Sequence, residues 1–172
     1  MLRKRYLIGY KLFFALVGFA AVITEIATLV ERGTFNPLNF FSYFTIESNL
    51  LAVGSLLVSA MMLAANHNCK RLDFFRGAIT LYMITTGIIF SVLLAGIENA
   101  TLTAVPWDNI VLHYIMPIVL AADWLLDRPN AVVKFKTACL WLLFPLAYFA
   151  YSIVRGSITG WYPYPFLNAD TN

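Results

Sequence analysis

Few side chains in this sequence could do chemistry, and most of those sit where hydrocarbon is expected. The stretch NFFSYFTIESNLLAVGSLLV sets Thr45, Glu47, Ser48 and Asn49 inside an apolar run. LHYIMP sets His113 in a second run, and Glu25 lies in a third. Ionisable residues in such positions are costly to bury and by default mark functional sites. A hydroxyl becomes a nucleophile when a base lies within hydrogen-bond reach and a third group orients that base. Thr45 as nucleophile and His113 as base, with Glu25 or Glu47 behind the imidazole, satisfy that requirement. Asn49, one turn further along the face of Thr45, is placed to donate to a developing oxyanion, with Ser48 beside it.

Each of these residues also has a purely structural use. Ser and Asn hydrogen-bond between membrane helices, a threonine hydroxyl bonds back to its own helix, and a lone histidine is often a structural donor. Nothing resembles a phosphate loop, a thiolate metal site or a haem ligand pair, so no cofactor and no metal is expected. His67 lies in a loop, and Cys69 and Cys139 fall in different settings with no disulfide pattern.

The elements that must hold these residues follow from composition. Of 172 residues, 60% are hydrophobic and 12% charged, and the mean hydropathy is +0.75, as in an integral membrane protein and not a soluble domain. A bilayer core of about 30 Å needs roughly 20 apolar residues per helix. Stretches 7–30, 40–65, 77–97, 109–126 and 137–154 meet that length. Runs such as GIIFSVLLAG do not alternate, which excludes a barrel. The fold class expected is an all-α, polytopic transmembrane helical bundle of five spans in one domain, 1–172, with short loops joining antiparallel neighbours. The basic MLRKRY followed by a long apolar run reads as a retained signal anchor.

Ten Lys and Arg residues fall on the side of the N-terminus and two, Arg32 and Arg155, on the other. The N-terminus is therefore expected in the cytoplasm, and the net charge of +3 reflects topology and not nucleic-acid binding. In that topology Glu25, Thr45 and His113 each lie about five residues, roughly 7 Å, below the outer boundary. Relative to Thr45, helix geometry puts Ser48 at about 300°, Asn49 at about 40° and Ala52 at about 340°, one face, and Glu47 at about 200°. Lys11 and Asp123 lie near the cytoplasmic ends, where Lys11 is expected to snorkel to headgroups or water. The non-cytoplasmic segment 155–172 is dense in aromatics and proline. Trp161 and Tyr164 are expected at the rim of a pocket at the bundle mouth.

The motifs FFSYFTIESNLL, LHYIMPIVLAADWLL and GWYPYPFL, in that order, resemble a family of small bacterial membrane proteins that is similar to the eukaryotic androgen-induced-gene and androgen-dependent-TFPI-regulator proteins. That resemblance spans most of the chain. It implies a multi-pass intramembrane threonine hydrolase of fatty acid esters of hydroxy fatty acids, with Thr45 matching the nucleophile and His113 its partner. It also implies a sixth helix after the aromatic segment, expected here to be absent or truncated, and a place in the bacterial cytoplasmic membrane. The partners expected are membrane lipids and a lipid or acyl-ester substrate. A second class of function stays open: a lipid or hydrophobic-ligand binding protein or small transporter that uses the same polar layer without hydrolysis. A third is a structural subunit whose polar layer only holds helices together.

Overall fold

The computed structural model describes residues 2–95, 103–129 and 132–168, and among these the protein is an all-helical bundle. Five helices are long and apolar enough to cross a membrane: α1 (Leu2–Glu31), α2 (Phe44–Ala64), α3 (Lys70–Leu94), α4 (Pro106–Leu126) and α5 (Phe135–Thr159). This is the make-up of a multi-pass membrane protein, as composition predicts. The ends of the spans differ from the expected ones, and each shift has a local cause.

The α1 helix continues back to Leu2 because its basic first turns have partners. Arg3 donates to the carbonyl of Leu126 at 2.7 Å, and Lys4 to the carbonyl of Ala64 at 3.1 Å and the amide oxygen of Asn66 at 2.6 Å. Cations thus complete the carbonyl ends of α4 and α2. The stretch 40–43 is not part of α2: Asn36 caps a separate turn, Pro37–Phe40, and the chain straightens at Tyr43 before α2 begins at Phe44. The α3 helix starts at Lys70, seven residues earlier than hydropathy indicates, because Asp73 and Arg76 are turned inward. Pro106 opens α4 in the first helical turn, where its missing N–H costs nothing. The α5 helix runs on to Thr159 and stops at Gly160, whose φ of 68° suits glycine.

The core forms where α1, α2, α3 and α4 meet. Lys11, Ala15, Gly18, Val22 and Glu25 are buried along one stripe of α1, the spacing of a helix seam. A Cβ on Gly18 would collide with Met116 of α4 and crowd Val53 of α2, so the absence of a side chain lets three helices close together. By contrast, α5 is mostly exposed along its length. It docks through Trp141, Phe144 and Tyr148.

Lys11 does not snorkel. Its side chain is fully buried and forms an ion pair with Asp123, with Asp127 a second partner at 2.9 Å. Arg76 joins the same cluster, 2.9 Å from Asp123, 3.2 Å from Asp127 and 3.4 Å from Asp73. The expected escape to water fails because two carboxylates of α4 and its C-terminal edge lie within reach inside the bundle. Pairing there replaces hydration that a buried ammonium would otherwise lose.

Candidate active site

Thr45 sits in the first turn of α2, where the backbone N–H groups have no acceptor within the helix. Two tyrosine hydroxyls fill those vacancies. Tyr148 of α5 accepts from the N–H of Phe44 at 3.2 Å, and Tyr164 accepts from the N–H of Thr45, also at 3.2 Å. The Tyr164 hydroxyl is also 3.2 Å from Thr45 Oγ1. Having accepted from the backbone, it donates to the threonine hydroxyl, whose own proton then points elsewhere.

That proton has one evident acceptor. Thr45 Oγ1 is 3.2 Å from His113 Nε2. The other ring nitrogen, Nδ1, is 3.1 Å from the carbonyl oxygen of Asn109. A carbonyl only accepts, so Nδ1 carries the hydrogen and Nε2 presents its lone pair to Thr45. Tyr164, Thr45, His113 and Asn109 form one directed chain of hydrogen bonds, and the first three side chains are all buried.

The backbone around His113 departs from a regular α-helix. Residues Val111–Ile115 form a π-helical turn, with the N–H of Met116 donating to the carbonyl of Val111. Pro117 has no N–H to offer His113, four residues earlier, so the ordinary helical bond cannot close there. Opposite it, Phe90–Leu94 of α3 form a second π-helical turn, closed by Ala95 N–H on the Phe90 carbonyl at 2.8 Å. The Phe90 ring lies flat on the imidazole, centroids 3.9 Å apart and planes 20° apart, and so fixes the plane in which Nε2 points. Such turns recur at functional sites because they re-aim side chains.

The remaining expected site residues separate by role. Asn49 is fully buried, but both of its contacts are structural: Nδ2 donates to the carbonyls of Thr45 at 2.8 Å and Leu112 at 3.1 Å. Its donors are committed to holding α2 against α4 at the level of the threonine and histidine, which leaves none for an oxyanion. Ser48 bonds the Thr45 carbonyl at 3.2 Å and the Thr86 hydroxyl at 3.0 Å, tying α2 to α3. Glu47 is half-buried, and it is not the partner of His113, whose Nδ1 is held by Asn109. Neither is Glu25, which accepts from the N–H of Ala104 at 2.7 Å and lies against the fully buried carboxyl of Asp108. The orienting group behind the imidazole is a backbone carbonyl.

Trp161 is half-buried at the bundle mouth, edge-on to Tyr43 and beneath the Arg155 guanidinium at 4.4 Å. Tyr164 lies deeper than a rim. It is buried against Thr45, because Pro163 and Pro165 turn the segment inward and Phe166 stacks behind the phenol at 5.3 Å. Burial pushes its phenol up to about 12, so the hydroxyl keeps its proton.

Two cavities meet at Thr45 and Tyr164. One, of about 140 Å³, is walled by Phe44, Ile89, Pro145, Phe149 and Phe166 and is almost wholly apolar. The hydroxyls of Thr85 and Thr86 beside it bond back to α3 carbonyls at 2.9 and 3.0 Å. The other, of about 120 Å³, is bordered by Glu25, Tyr43, Thr103 and His113. A hydroxyl paired with a free imidazole nitrogen, between an apolar and a polar space, can attack an electrophilic carbon that carries one apolar and one polar substituent.

Sequence reasoning missed Phe90, Tyr148, Asn109 and Asp108. Only Pro117, four residues past His113, signalled in the sequence that the histidine turn would be irregular. No protein-family model, no curated protein and no solved structure matches this chain.

Proposed function

We propose that this protein is an intramembrane lipid-ester hydrolase with Thr45 as nucleophile and His113 as general base. The observation that carries the proposal is the Thr45 hydroxyl at 3.2 Å from the unprotonated nitrogen of an imidazole whose other nitrogen is held by Asn109.

An acyl chain enters from lipid into the apolar cavity and brings its ester carbonyl to Thr45. Oγ1 bonds to the carbonyl carbon as its proton passes to His113 Nε2. The negative charge that develops on the carbonyl oxygen is received by the Thr45 N–H and the Tyr164 hydroxyl, which turn to it from the bonds they make to Tyr164 and to Thr45 Oγ1 before substrate arrives. The bond to the alcohol oxygen then breaks, and the His113 proton goes to that oxygen. Water attacks the acyl-threonine, gives its proton to His113, and the fatty acid leaves as Thr45 recovers its hydrogen. With the N-terminus in the cytoplasm, this chemistry lies near the outer leaflet of a bacterial cytoplasmic membrane. The resemblance to the androgen-induced-gene family makes fatty acid esters of hydroxy fatty acids the first substrates to assay.

The test uses the purified chain in detergent with long-chain acyl esters and a fluorophosphonate probe. Turnover and labelling that disappear in both Thr45→Ala and His113→Ala, while circular dichroism stays helical, support the reading. Ester retained without turnover, and no labelling of wild-type protein, would support a lipid-binding protein or small transporter instead.

A further inference from the structure

Of the two cavities that meet at Thr45, the polar one contains an acceptor that the reaction above does not use. Glu25 commits one carboxyl oxygen, Oε2, to the Ala104 N–H at 2.7 Å. Its side chain borders the cavity together with the hydroxyl-bearing Tyr43 and Thr103. Behind it lies the fully buried carboxyl of Asp108. Arg32, the nearest cation in sequence, is exposed and spends its guanidinium on the carbonyl of Ala104 at 2.9 Å; it does not border the cavity. Among the described residues, the lining of the cavity combines carboxyl and hydroxyl groups and includes no cation, the Arg32 charge acting on Glu25 from outside it.

Size narrows the occupant. An apolar cavity of about 150 Å³ accepts a benzene-sized ligand, about six non-hydrogen atoms. The polar cavity, about 120 Å³, takes a group of about that size or slightly smaller, which is the size of glycerol. A further carboxylate brought into this space would meet the hydrogen-bonded carboxyl pair of Glu25 and Asp108 in a low dielectric, where adding a like charge is costly. A hydroxyl would donate to Glu25 and exchange hydrogen bonds with Tyr43 and Thr103.

Resting on the hydrolase reading, we infer that the Glu25 cavity receives the alcohol half of the substrate and selects a small neutral polyol, so that the preferred esters are monoacylglycerol-like. The first carbons of the acyl chain lie in the apolar cavity, with the rest of the chain in lipid, the polyol lies in the polar cavity, and the scissile carbonyl lies between them at Thr45. Cleavage returns the proton held by His113 to the polyol oxygen and releases the free polyol.

The experiment compares kcat/KM of the full chain in detergent for 1-monooleoylglycerol and for the oleoyl ester of a hydroxystearic acid, the same acyl group with a carboxylate on the alcohol half. A preference of about tenfold or more for the glycerol ester is expected. Glu25→Gln, which removes charge and keeps shape, should shrink that preference several-fold, chiefly by improving the carboxylate-bearing ester. Glu25→Leu should raise KM for the glycerol ester. Equal or better turnover of the hydroxy-acid ester by wild-type protein overturns the inference while leaving the hydrolase reading in place. Failure of both esters, with no fluorophosphonate labelling of Thr45, overturns the two together. Since the wild-type comparison alone decides, a Glu25 variant that does not fold leaves the answer intact.

Discussion

The Phe90 ring covers one face of the His113 imidazole, centroids 3.9 Å apart and nearly parallel, while Asn109 holds Nδ1 in the ring plane. Together they remove both freedoms of the ring, its tilt and its flip. Phe90→Leu keeps an apolar neighbour but not the flat contact. It is expected to lower kcat by about tenfold with little change in KM, since misplacement of a catalytic group is felt in the chemical step. Stability should fall by about 1 kcal/mol. Steady-state kinetics on a chromogenic long-chain ester and thermal unfolding in detergent measure the two effects separately.

Asn49 joins the carbonyls of Thr45 and Leu112, so it fixes the spacing of the two helices that carry Thr45 and His113. Asn49→Leu should destabilise the protein by about 0.6–2 kcal/mol, the range for one hydrogen bond between membrane helices, since the bond to Thr45 lies within α2. Activity should fall through kcat. Unchanged kcat in a variant of lowered melting temperature would mean that the spacing of Thr45 and His113 does not depend on this residue.

Tyr164→Phe removes a hydroxyl that touches both the N–H and the Oγ1 of Thr45. Loss of an oxyanion donor costs about 10²–10³ in kcat, and a drop of about a hundredfold is expected, with the acyl chain still bound and KM near its original value. The pH dependence has a defined sign. The phenol is raised from its ordinary 10.0 to about 12 by burial. The protonated form is therefore favoured in the folded state, and its contribution is complete below pH 10 and lost as pH rises from there towards 12. A pH profile of kcat should show no alkaline fall caused by this group below pH 10.

Lys11→Met removes the cation that pairs with Asp123 and Asp127 inside the bundle. Arg76 alone would then face Asp73, Asp123 and Asp127. Breaking a buried pair by removing one partner destabilises by about 3–5 kcal/mol, and a loss in that range is expected from unfolding in a denaturing detergent titration. The cluster sits at the other end of α4 from His113, so kcat of the protein that remains folded should change little.

The bundle was legible in the sequence because helix length, hydropathy and the side of the basic residues are one-dimensional properties. So was the joint face of Thr45, Ser48 and Asn49, which follows from a fixed angle per residue. What these residues bond to was not legible. Asn49 could donate to a ligand or to a carbonyl, and the choice depends on how close Leu112 comes, a distance set by Gly18 and Met116 elsewhere in the bundle. Hydropathy sends Lys11 to water because it does not record that Asp123 and Asp127 lie opposite it. Aromatics near a span end usually stay at the interface, which points Tyr164 to a rim, whereas its position between Pro163 and Pro165 folds it inward. The π-helical turn at His113 had a visible cause in Pro117, and the matching turn at Phe90 had none.

The tyrosine hydroxyls that complete the first turn of α2 come from positions 104 and 119 residues further along the chain. A ribosome therefore delivers Thr45 and His113 to the membrane well before it delivers the phenol that sits between the threonine N–H and its hydroxyl. During that interval the nascent chain holds Thr45 and His113 with an open first turn beside them. The order of synthesis leaves the surroundings of Thr45 unfinished until α5 has been inserted and the aromatic segment has folded back over the bundle, so the proposed ester cleavage would have to wait for both steps.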